Sequence, residues 1–405
     1  MYLSTTDRPV TKTATGSRRV AGTVVALGIV SLITDVSAEM VTAVLPLYLV
    51  VGLGLSPLQF GFLDGLYTGA TAITRLAGGH VADRWQRRKT VAAVGYGLSA
   101  LAKLGLLVAG SSVAAIGGVL ATDRVGKGIR TAPRDALISL NSHPENLGRS
   151  FGVHRALDTT GALAGPIVAF GLLSLTVGSY DSVFVTSFCI AVVGLVVLVL
   201  FVGERAAVTT SRATVSIRAA FGLLGAAPFR RVCACATLLG LVTVSDAFLY
   251  LLLQRRLDLA IELFPLLPLG SALTYLIFAV PLGRLADSWG RWRVFLSGYV
   301  VLAVVYGLLL GPIGGLPLLM ACLILHGTYY AATDGILAAV GSSVLPDHLR
   351  SSGLALLMTG QSLGRLSASI AFGALWTVGG PELALVVASV ALAGVGLGVL
   401  MWRQR

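Results

Sequence analysis

The chain has 405 residues, of which 56% are hydrophobic and only 12% are charged, and its mean hydropathy is +0.87. Soluble domains contain about 25% charged residues, so this composition excludes an ordinary soluble protein and indicates a membrane protein. The formal net charge of +12 does not indicate nucleic-acid binding, because most of the basic residues lie in short segments between apolar runs.

Apolar runs follow one another along the chain after a polar N-terminal tail, residues 1–20. Each run is roughly 20 residues long, enough for a helix to cross a hydrocarbon core of ~30 Å. The runs are continuous rather than alternating, which argues against a β-barrel. The sequence therefore predicts an all-α membrane protein with twelve transmembrane helices, at residues 21–50, 57–82, 90–109, 112–132, 149–175, 182–203, 232–253, 263–286, 294–311, 316–343, 352–377 and 382–402.

The loops between the predicted helices indicate the orientation in the membrane. Loops 51–56 and 312–315 contain no Lys or Arg, whereas basic residues cluster in the N-terminal tail, after the last helix and in segments 83–89, 133–148, 204–231 and 287–293. By the positive-inside rule the basic side, with both termini, faces the cytosol, as expected for a multi-pass protein of the inner (plasma) membrane. Arg255 and Arg256 are an exception, because this topology places them on the opposite side.

The longest polar interruption, residues 204–231, separates two groups of six predicted helices. We expect this segment to be a cytosolic basic linker. It then joins an N-terminal six-helix bundle at 21–203 to a C-terminal six-helix bundle at 232–402.

Similar stretches recur at matching positions in the two groups. Asp246 follows Asp35 by 211 positions, and "ATDGILAA" from Ala332 follows "ATDRVGKG" from Ala121 by the same 211 positions. Agreement between such offsets indicates an internal repeat. Two six-helix halves in the same orientation are typical of a transporter with its binding site between them.

A loop motif is also repeated, as a glycine, three residues, an aspartate and then basic residues. Basic residues in a tight cytosolic turn fix the topology, the aspartate can pair with them, and the glycine allows close helix approach. A topology signal explains the arginines but not the repeated spacing of glycine and aspartate. The two copies comprise Gly79, Asp83, Arg84, Arg87, Arg88 and Lys89 in the first, and Gly283, Asp287, Gly290, Arg291 and Arg293 in the second.

This doubled motif resembles the loop motif of the major facilitator superfamily, and the resemblance extends over nearly the whole chain. In the family the motif braces the two halves on the cytosolic side. The resemblance implies two pseudo-symmetric six-helix bundles and a bacterial member similar to drug/proton antiporters. Gln86 stands where the family usually has glycine.

Two further stretches resemble family motifs. "DRVGKGIR" in the fourth predicted helix is similar to the arginine motif, which gives Arg124 a role in proton coupling, although Lys127 replaces a common glutamine. "GALAGP" in the fifth, with Gly161, Gly165 and Pro166, resembles the motif of exporters that exchange substrate for protons. A glycine pair with this spacing is also common in simple helix packing.

Charged side chains at bilayer depth are costly unless paired or hydrated, so each is a candidate functional residue. Asp35 and Glu39 share a face of the first helix, and we expect them, with Arg124, to carry proton coupling. The family's cavity is lined by helices 1, 4, 7 and 10, so the resemblance also assigns to it Lys127, Asp246, His326, Tyr329, Tyr330 and Asp334.

Structural alternatives remain open for these residues. Asp35 or Glu39 can be a fixed partner of Arg124, and Asp123 can neutralise Lys127 one helical turn away. Asp246 and Asp334 can be solvated cavity charges, and the histidine and tyrosines can simply pack. Near the cytosolic end of helix 5, "HRALD" from His154 to Asp158 favours a salt-bridge gate with Arg130 or Arg134. Asp64, Lys103 and Arg365 are further intramembrane charges to which the sequence assigns no partner.

The leading hypothesis is a secondary active transporter that exports a small organic molecule in exchange for protons, by alternating access of the two halves. A proton-coupled importer of a small solute is the alternative. The chain contains no H-E-x-x-H or G-x-S-x-G motif, which argues against an intramembrane enzyme, and no soluble signalling domain that would indicate a sensor. The expected partners are the substrate, protons and the lipid bilayer. We expect no nucleic acid, cofactor or metal, and a monomer.

Overall fold

The structure is a computed structural model that describes residues 21–70, 88–142, 146–203, 221–346 and 349–404. Within these ranges the regular structure is helical throughout. In chain order the helices are α1 (Gly22–Leu47), α2 (57–70), α3 (Arg88–Val108), α4 (Val113–Leu140), α5 (Leu147–Leu175), α6 (Tyr180–Phe201), α7 (Ala227–Leu257), α8 (Leu266–Trp289), α9 (Arg291–Leu310), α10 (Gly315–Ser343) and α11 (Arg350–Gln404).

Two of these helices are interrupted. α7 consists of Ala227–Leu241 and Asp246–Leu257, and the chain between them is not helical. α11 is broken at Gly380, where φ is +83°, a value that favours glycine, and Pro381 follows. The break in α11 lies between the predicted helices 352–377 and 382–402.

Two helix ends differ from the sequence prediction. α7 begins at Ala227 rather than at 232, because Pro228 stands in its first turn, where its missing N–H costs nothing. α4 continues to Leu140 through Pro133, so that the first part of the predicted cytosolic segment 133–148 is helical. Both differences lengthen helices at the expense of predicted loops.

The helices confirm a membrane protein. In the described part of the chain, nine stretches are long and apolar enough to cross a membrane. α4 is not among them although it has 28 residues. It carries Asp123, Arg124, Lys127, Arg130, Arg134 and Asp135, which lower its hydropathy. Twelve spanning helices stay a prediction.

Helix packing is closest within the first and second parts of the chain. α1 packs against α5 and α6, and α3 against α4 and α6. In the second part α10 packs against α8 and α9, and α7 against α11. Contacts between the parts run from α5 to α8 and from α1 to the second segment of α7. α2 joins them by packing against α11.

Candidate functional site

A cavity of about 580 Å³ lies between the two parts of the chain. Side chains of α1, α2, α4 and α5 line it from one side, and side chains of α7, α8, α10 and α11 from the other. Its charged side chains are Glu39, Asp64, Arg155, Asp246, Asp334 and Arg365, and its aromatic ones are Phe60, Tyr67, Tyr250, Phe264, Tyr275 and Tyr330. A space of this size, with an aromatic wall and a few convergent polar groups, suits a small organic ligand.

Polar side chains in the cavity are accessible although their helices are apolar. Asp334 is exposed in the second half of α10, and the Asp246 side chain is 42% exposed at the start of the second segment of α7. Ionised groups at this depth require hydration or pairing. The cavity is therefore accessible to water.

α1 and α4 face each other with two acid–base pairs. The Arg130 guanidinium lies 3.8 Å from Asp35 Oδ1, and Lys127 Nζ lies 4.0 Å from Glu39 Oε1. The acids are one helical turn apart on α1, and the bases are similarly spaced on α4. The two ion pairs therefore lie one turn apart along the α1–α4 contact. The Arg130 side chain is only 5% exposed, and its guanidinium also lies over the Tyr96 ring at 4.4 Å.

In the described structure Arg124 forms no ion pair within 4.0 Å with the acids of α1, although Glu39 lies close enough to attract it. Arg124 forms an ion pair with its neighbour Asp123, and its guanidinium lies 3.8 Å above the Tyr67 ring. The predicted helix bounds place Arg124 and Asp35 at a similar depth but do not define how α4 is rotated about its axis. Tyr67, which lines the cavity, lies between Arg124 and the open space.

For Asp123, the alternative of a pair with Lys127 one turn away is not seen among the described residues. Instead of Lys127, the carboxylate accepts hydrogen bonds from Arg124 and from the Ser99 hydroxyl of α3. Lys103 Nζ donates to the Ser99 carbonyl at 2.9 Å, so the same serine connects a second buried cation to this group. Lys127 is thereby left to Glu39.

The glycines of α5 bring it into contact with the acidic stretch of α1. A Cβ at Gly161 would lie 2.3 Å from the Leu32 carbonyl oxygen. A Cβ at Gly165 would lie 2.7 Å from Glu39 Cβ, and Pro166 beside it is buried. Only glycine permits this approach of two helix backbones.

A second cluster of polar and charged side chains surrounds Asp246. Both of its carboxylate oxygens lie 2.7 Å from the Tyr330 hydroxyl, which donates to them, and His326 Nε2 is 3.3 Å from Oδ1. Arg365 of α11 donates to the hydroxyls of Tyr330 and Tyr329, each at 3.4 Å. Tyr330 thus connects the acid to the arginine.

Not all predicted cavity residues reach the cavity. Glu39, Asp246, Tyr330 and Asp334 line it. His326 and Tyr329 are buried behind them, and Asp35, Arg124 and Lys127 also stand outside its lining. His326 Nδ1 lies 3.2 Å from the Ser271 hydroxyl and 3.5 Å from the Tyr250 hydroxyl, so its ring is held by neighbouring side chains, and a role in substrate binding stays a prediction.

The basic end of α4 contacts α5 through further polar pairs. Arg134 lies 3.6 Å from Asp158, and its guanidinium donates to the Ser31 hydroxyl. The same hydroxyl is 2.8 Å from His154 Nε2, and Arg155 reaches Asp158 at 3.7 Å. A gating role for this cluster stays a prediction.

The first loop motif lies largely outside the described residues, which exclude Gly79, Asp83, Arg84 and Arg87. Arg88 and Lys89 begin α3, and Lys89 Nζ donates to the Val199 carbonyl of α6 at 2.8 Å. No structural role is assigned to the other members.

The second loop motif is described. Asp287 at the end of α8 pairs with Arg291 at 3.3 Å, and Arg291 donates to the Ala339 carbonyl of α10. Gly290 between them has φ +106°. A Cβ at Gly283 would meet no described atom within 4 Å, so close helix packing at this glycine stays a prediction.

The structure supplies partners for the intramembrane charges that the sequence left unassigned. Asp64 of α2 accepts a 2.7 Å hydrogen bond from the Ser369 hydroxyl of α11, and Arg365 contacts the two tyrosines of α10. Arg155 and Tyr275 were not predicted to line the cavity. The only sequence signal for these residues is a polar side chain within an apolar run, which identifies the residue but not its partner.

Comparisons with known proteins agree with this architecture. The family model described as Major Facilitator Superfamily matches residues 27–273 and 233–405. The MFS-type transporter MJ1317 of Methanocaldococcus jannaschii is 29% identical over 410 residues, which cover 99% of this chain and 100% of that protein. Protein Rv2265 of Mycobacterium tuberculosis is 34% identical over 157 residues, 39% of this chain and 38% of that protein.

Solved structures with a similar fold are also transporters. The nucleoside transporter NupG superposes with a TM-score of 0.79 at 15% identity, over 95% of this chain and 99% of that one. The peptide transporter POT in complex with sulfate gives 0.78 at 14% identity, over 96% of both chains. A bacterial homologue of the human lysosomal transporter Spinster, inward-facing and unoccupied, gives 0.74 at 14%, over 95% and 97%. At such identities the likeness is one of fold.

Proposed function

The chain belongs to the major facilitator superfamily and is a multi-pass membrane transporter rather than an enzyme, and from this premise we propose that it exports a small organic molecule in exchange for protons. Two six-helix bundles then alternate in exposing the cavity to the two sides of the membrane. Helix packing supports two bundles, because the closest contacts fall within residues 22–201 and within 227–404.

The observation that carries the proposal is the position of Glu39. Its carboxylate lines the cavity, lies 4.0 Å from Lys127 and stands where α1 meets Gly165 of α5. A substrate in the cavity and a proton therefore meet the same acid. Competition between proton and substrate for one group gives exchange, because each must leave before the other binds.

Asp35 continues this arrangement one turn away. Proton binding to either acid weakens its attraction for a base of α4, since the base stays charged while the carboxyl becomes neutral. The α1–α4 contact is thereby weaker in one protonation state than in the other. Such a differential interaction can bias a two-state equilibrium.

The fifth helix supports the export direction. Gly161 and Gly165 seal α5 against α1 at the level of Glu39, and a dry contact at this level prevents protons from leaking past the exchange site. We further propose that the protein is a monomer in the plasma membrane with both termini in the cytosol, on the basic side of the chain.

Flux in inverted membrane vesicles with an imposed pH gradient tests the proposal. A ligand-stabilisation screen on purified protein, including nucleosides and dipeptides, first supplies a probe. Export by proton exchange requires uptake of the probe into the vesicles, driven by the gradient and accompanied by proton efflux. Proton-coupled import gives the opposite flux, and flux that ignores the gradient contradicts proton coupling.

Variants of the acids sharpen this assay. Asp35→Asn and Glu39→Gln should each leave probe binding measurable but make transport insensitive to the pH gradient. The matched control is Asp181→Asn, an exposed acid at the start of α6 outside the cavity. If both acid variants keep the wild-type gradient dependence, the proton is carried elsewhere.

A further inference from the structure

α2 and α11 meet along a close contact between residues 57–65 and 366–377, here called the α2–α11 seam. A Cβ at Gly61 would lie 2.4 Å from the Ser369 carbonyl oxygen, and a Cβ at Gly373 would lie 2.3 Å from that of Pro57. The Leu58 amide donates to the Thr377 hydroxyl at 3.1 Å. These contacts join the first part of the chain to the second, so alternating access must separate them.

Asp64 lies at the inner end of this seam. It lines the cavity, and its only hydrogen-bond partner across the seam among the described residues is the Ser369 hydroxyl, at 2.7 Å. In the described part of the chain, no Lys, Arg or His nitrogen approaches its carboxylate within 4.0 Å. A closed seam thus holds this acid against neutral donors.

The charged neighbours of Asp64 come from the facing helices. Asp246 of α7 is close enough to repel its carboxylate, and the preceding Ser245, whose hydroxyl is buried, supplies a second neutral donor beside Asp64. Arg365 of α11 and Glu39 of α1 line the same cavity, and the Arg365 guanidinium is directed to Tyr329 and Tyr330. The nearby charge that acts directly on Asp64 is therefore of the same sign.

We propose that Asp64 is a proton-binding residue whose protonation closes the α2–α11 seam. Closure holds the half-buried carboxylate beside Asp246 and against neutral hydroxyl donors without supplying a cation, which is unfavourable for the ionised form and much less so for the neutral one. By linkage, proton binding favours closure and proton release favours opening. This inference rests on the proposed proton exchange, to which it adds a proton site distinct from Asp35 and Glu39.

The seam lies next to loop 51–56, on the side that the basic loops assign away from the cytosol. In the open state Asp64 takes a proton from that side, and closure carries the proton inward to the cavity. Proton binding from outside is what exchange against an exported substrate requires.

Distances measured across the seam by double electron–electron resonance test the proposal. The four native cysteines are first replaced by Ala, and nitroxide labels are attached at Val51→Cys and Val378→Cys, two exposed positions. The labelled protein is placed in lipid nanodiscs. In the otherwise wild-type protein the ratio of open to closed seam should rise with pH, by at most about tenfold per pH unit for one linked proton. A ratio that does not change with pH overturns the proposal.

Variants of Asp64 and of its neighbours identify the acid. Asp64→Asn should stay closed at every pH, whereas Asp181→Asn, an exposed acid outside the cavity, should keep the wild-type response. Ser369→Ala removes a hydroxyl donor that the closed seam offers to Asp64 whether the acid is ionised or neutral, so the closed state loses stability and the opening midpoint should fall by about 1 pH unit. A wild-type pH response in Asp64→Asn overturns the proposal. This holds even if Asp246→Asn abolishes the pH response, because the linked proton is then on Asp246. Should Asp64→Asn not fold, a midpoint that does not fall in Ser369→Ala overturns it independently.

The outcome is separable from that of the proposed function. If wild-type flux ignores the pH gradient while the seam still opens with pH through Asp64, proton exchange fails and the proton site stands. If flux follows the pH gradient while the seam distance does not change with pH, proton exchange stands and the proton site at Asp64 fails.

Discussion

At the scale of single residues, the Asp35–Arg130 pair shows how α4 keeps charges inside an apolar chain. The guanidinium has a carboxylate at 3.8 Å and an aromatic face at 4.4 Å. Removing one member of a buried pair is costly because it leaves the other charge uncompensated. The pair therefore constrains α1 and α4 as much as it contributes to net stability.

We expect Arg130→Met to destabilise the protein by up to about 3 kcal/mol, less than for an isolated pair, because Lys127 also attracts Asp35. The double variant Asp35→Asn with Arg130→Met should recover part of the loss. Thermal unfolding in a fixed detergent measures both. Arg155→Met, at a side chain that is 80% exposed, serves as the control. Additive losses in the double variant would contradict the coupling.

At the scale of elements, the two glycines of α5 determine how closely it approaches α1. Gly165→Leu should cost about 1–3 kcal/mol of packing free energy and reduce transport, because its side chain would displace Glu39 and the Val36 carbonyl. Gly171→Leu on the same helix is the matched control, since a Cβ there meets no atom of the described residues within 4 Å. Probe uptake and proton leak in vesicles are compared at equal protein abundance. Normal transport with an unchanged leak in Gly165→Leu would remove the main support for export.

Arg256 explains the exception to the positive-inside pattern. Its guanidinium donates to the carbonyls of Leu309, Gly311 and Ile313, where α9 ends and leaves carbonyl groups unsatisfied. A cation at a helix C-terminus also interacts favourably with the helix dipole. Local structure thus outweighs the topological preference at this position.

We expect Arg256→Gln to lower the free energy of unfolding by about 1–2 kcal/mol, because charged hydrogen bonds to carbonyl groups are lost. Its neighbour Arg255 is exposed at the same helix end, so Arg255→Gln should change stability by less than about 0.5 kcal/mol. Equal losses in the two variants, measured by thermal unfolding, would show that net charge rather than capping matters.

At the scale of the whole molecule, the loop motifs should act on the exchange between states more than on stability. The Asp287–Arg291 pair is exposed, and exposed pairs contribute about 0–1 kcal/mol. Arg291 also reaches the Ala339 carbonyl, so the motif joins the α8–α9 turn to α10. Such a connection can differ between two arrangements of the helices.

Accordingly, Asp287→Asn and Asp83→Asn should each impair transport while leaving membrane insertion and expression largely intact. Uptake per molecule of inserted protein is the measurement. Arg293→Gln, in the same turn as Asp287 but bonded only to the Trp289 carbonyl in the described structure, is the control. Transport equal to wild type in both aspartate variants would leave the repeated motif with topology as its only role.

The sequence by itself determined the class of the protein and its candidate residues. Composition and run length suffice for a helical membrane protein, because a bilayer accepts only long apolar segments with internally paired backbones. Motifs at Asp83, Asp287 and Gly165 indicated the family, and a polar residue inside an apolar run is visible without a structure. Asp35, Glu39 and Asp64 were all named on that basis, whereas Arg130 was named as a possible partner of the polar end of helix 5.

Only the tertiary structure decided which of these residues meet. Arg124 lies nearly as deep in its predicted helix as Asp35 does, yet the rotation of α4 directs it to Asp123 and Tyr67 and brings Arg130 to Asp35. Asp64 and Ser369 are 305 positions apart and face each other because α2 crosses between the two parts of the chain. Helix rotation and long-range contact are set by packing against neighbouring helices, which the apolar pattern of a single helix in lipid does not encode.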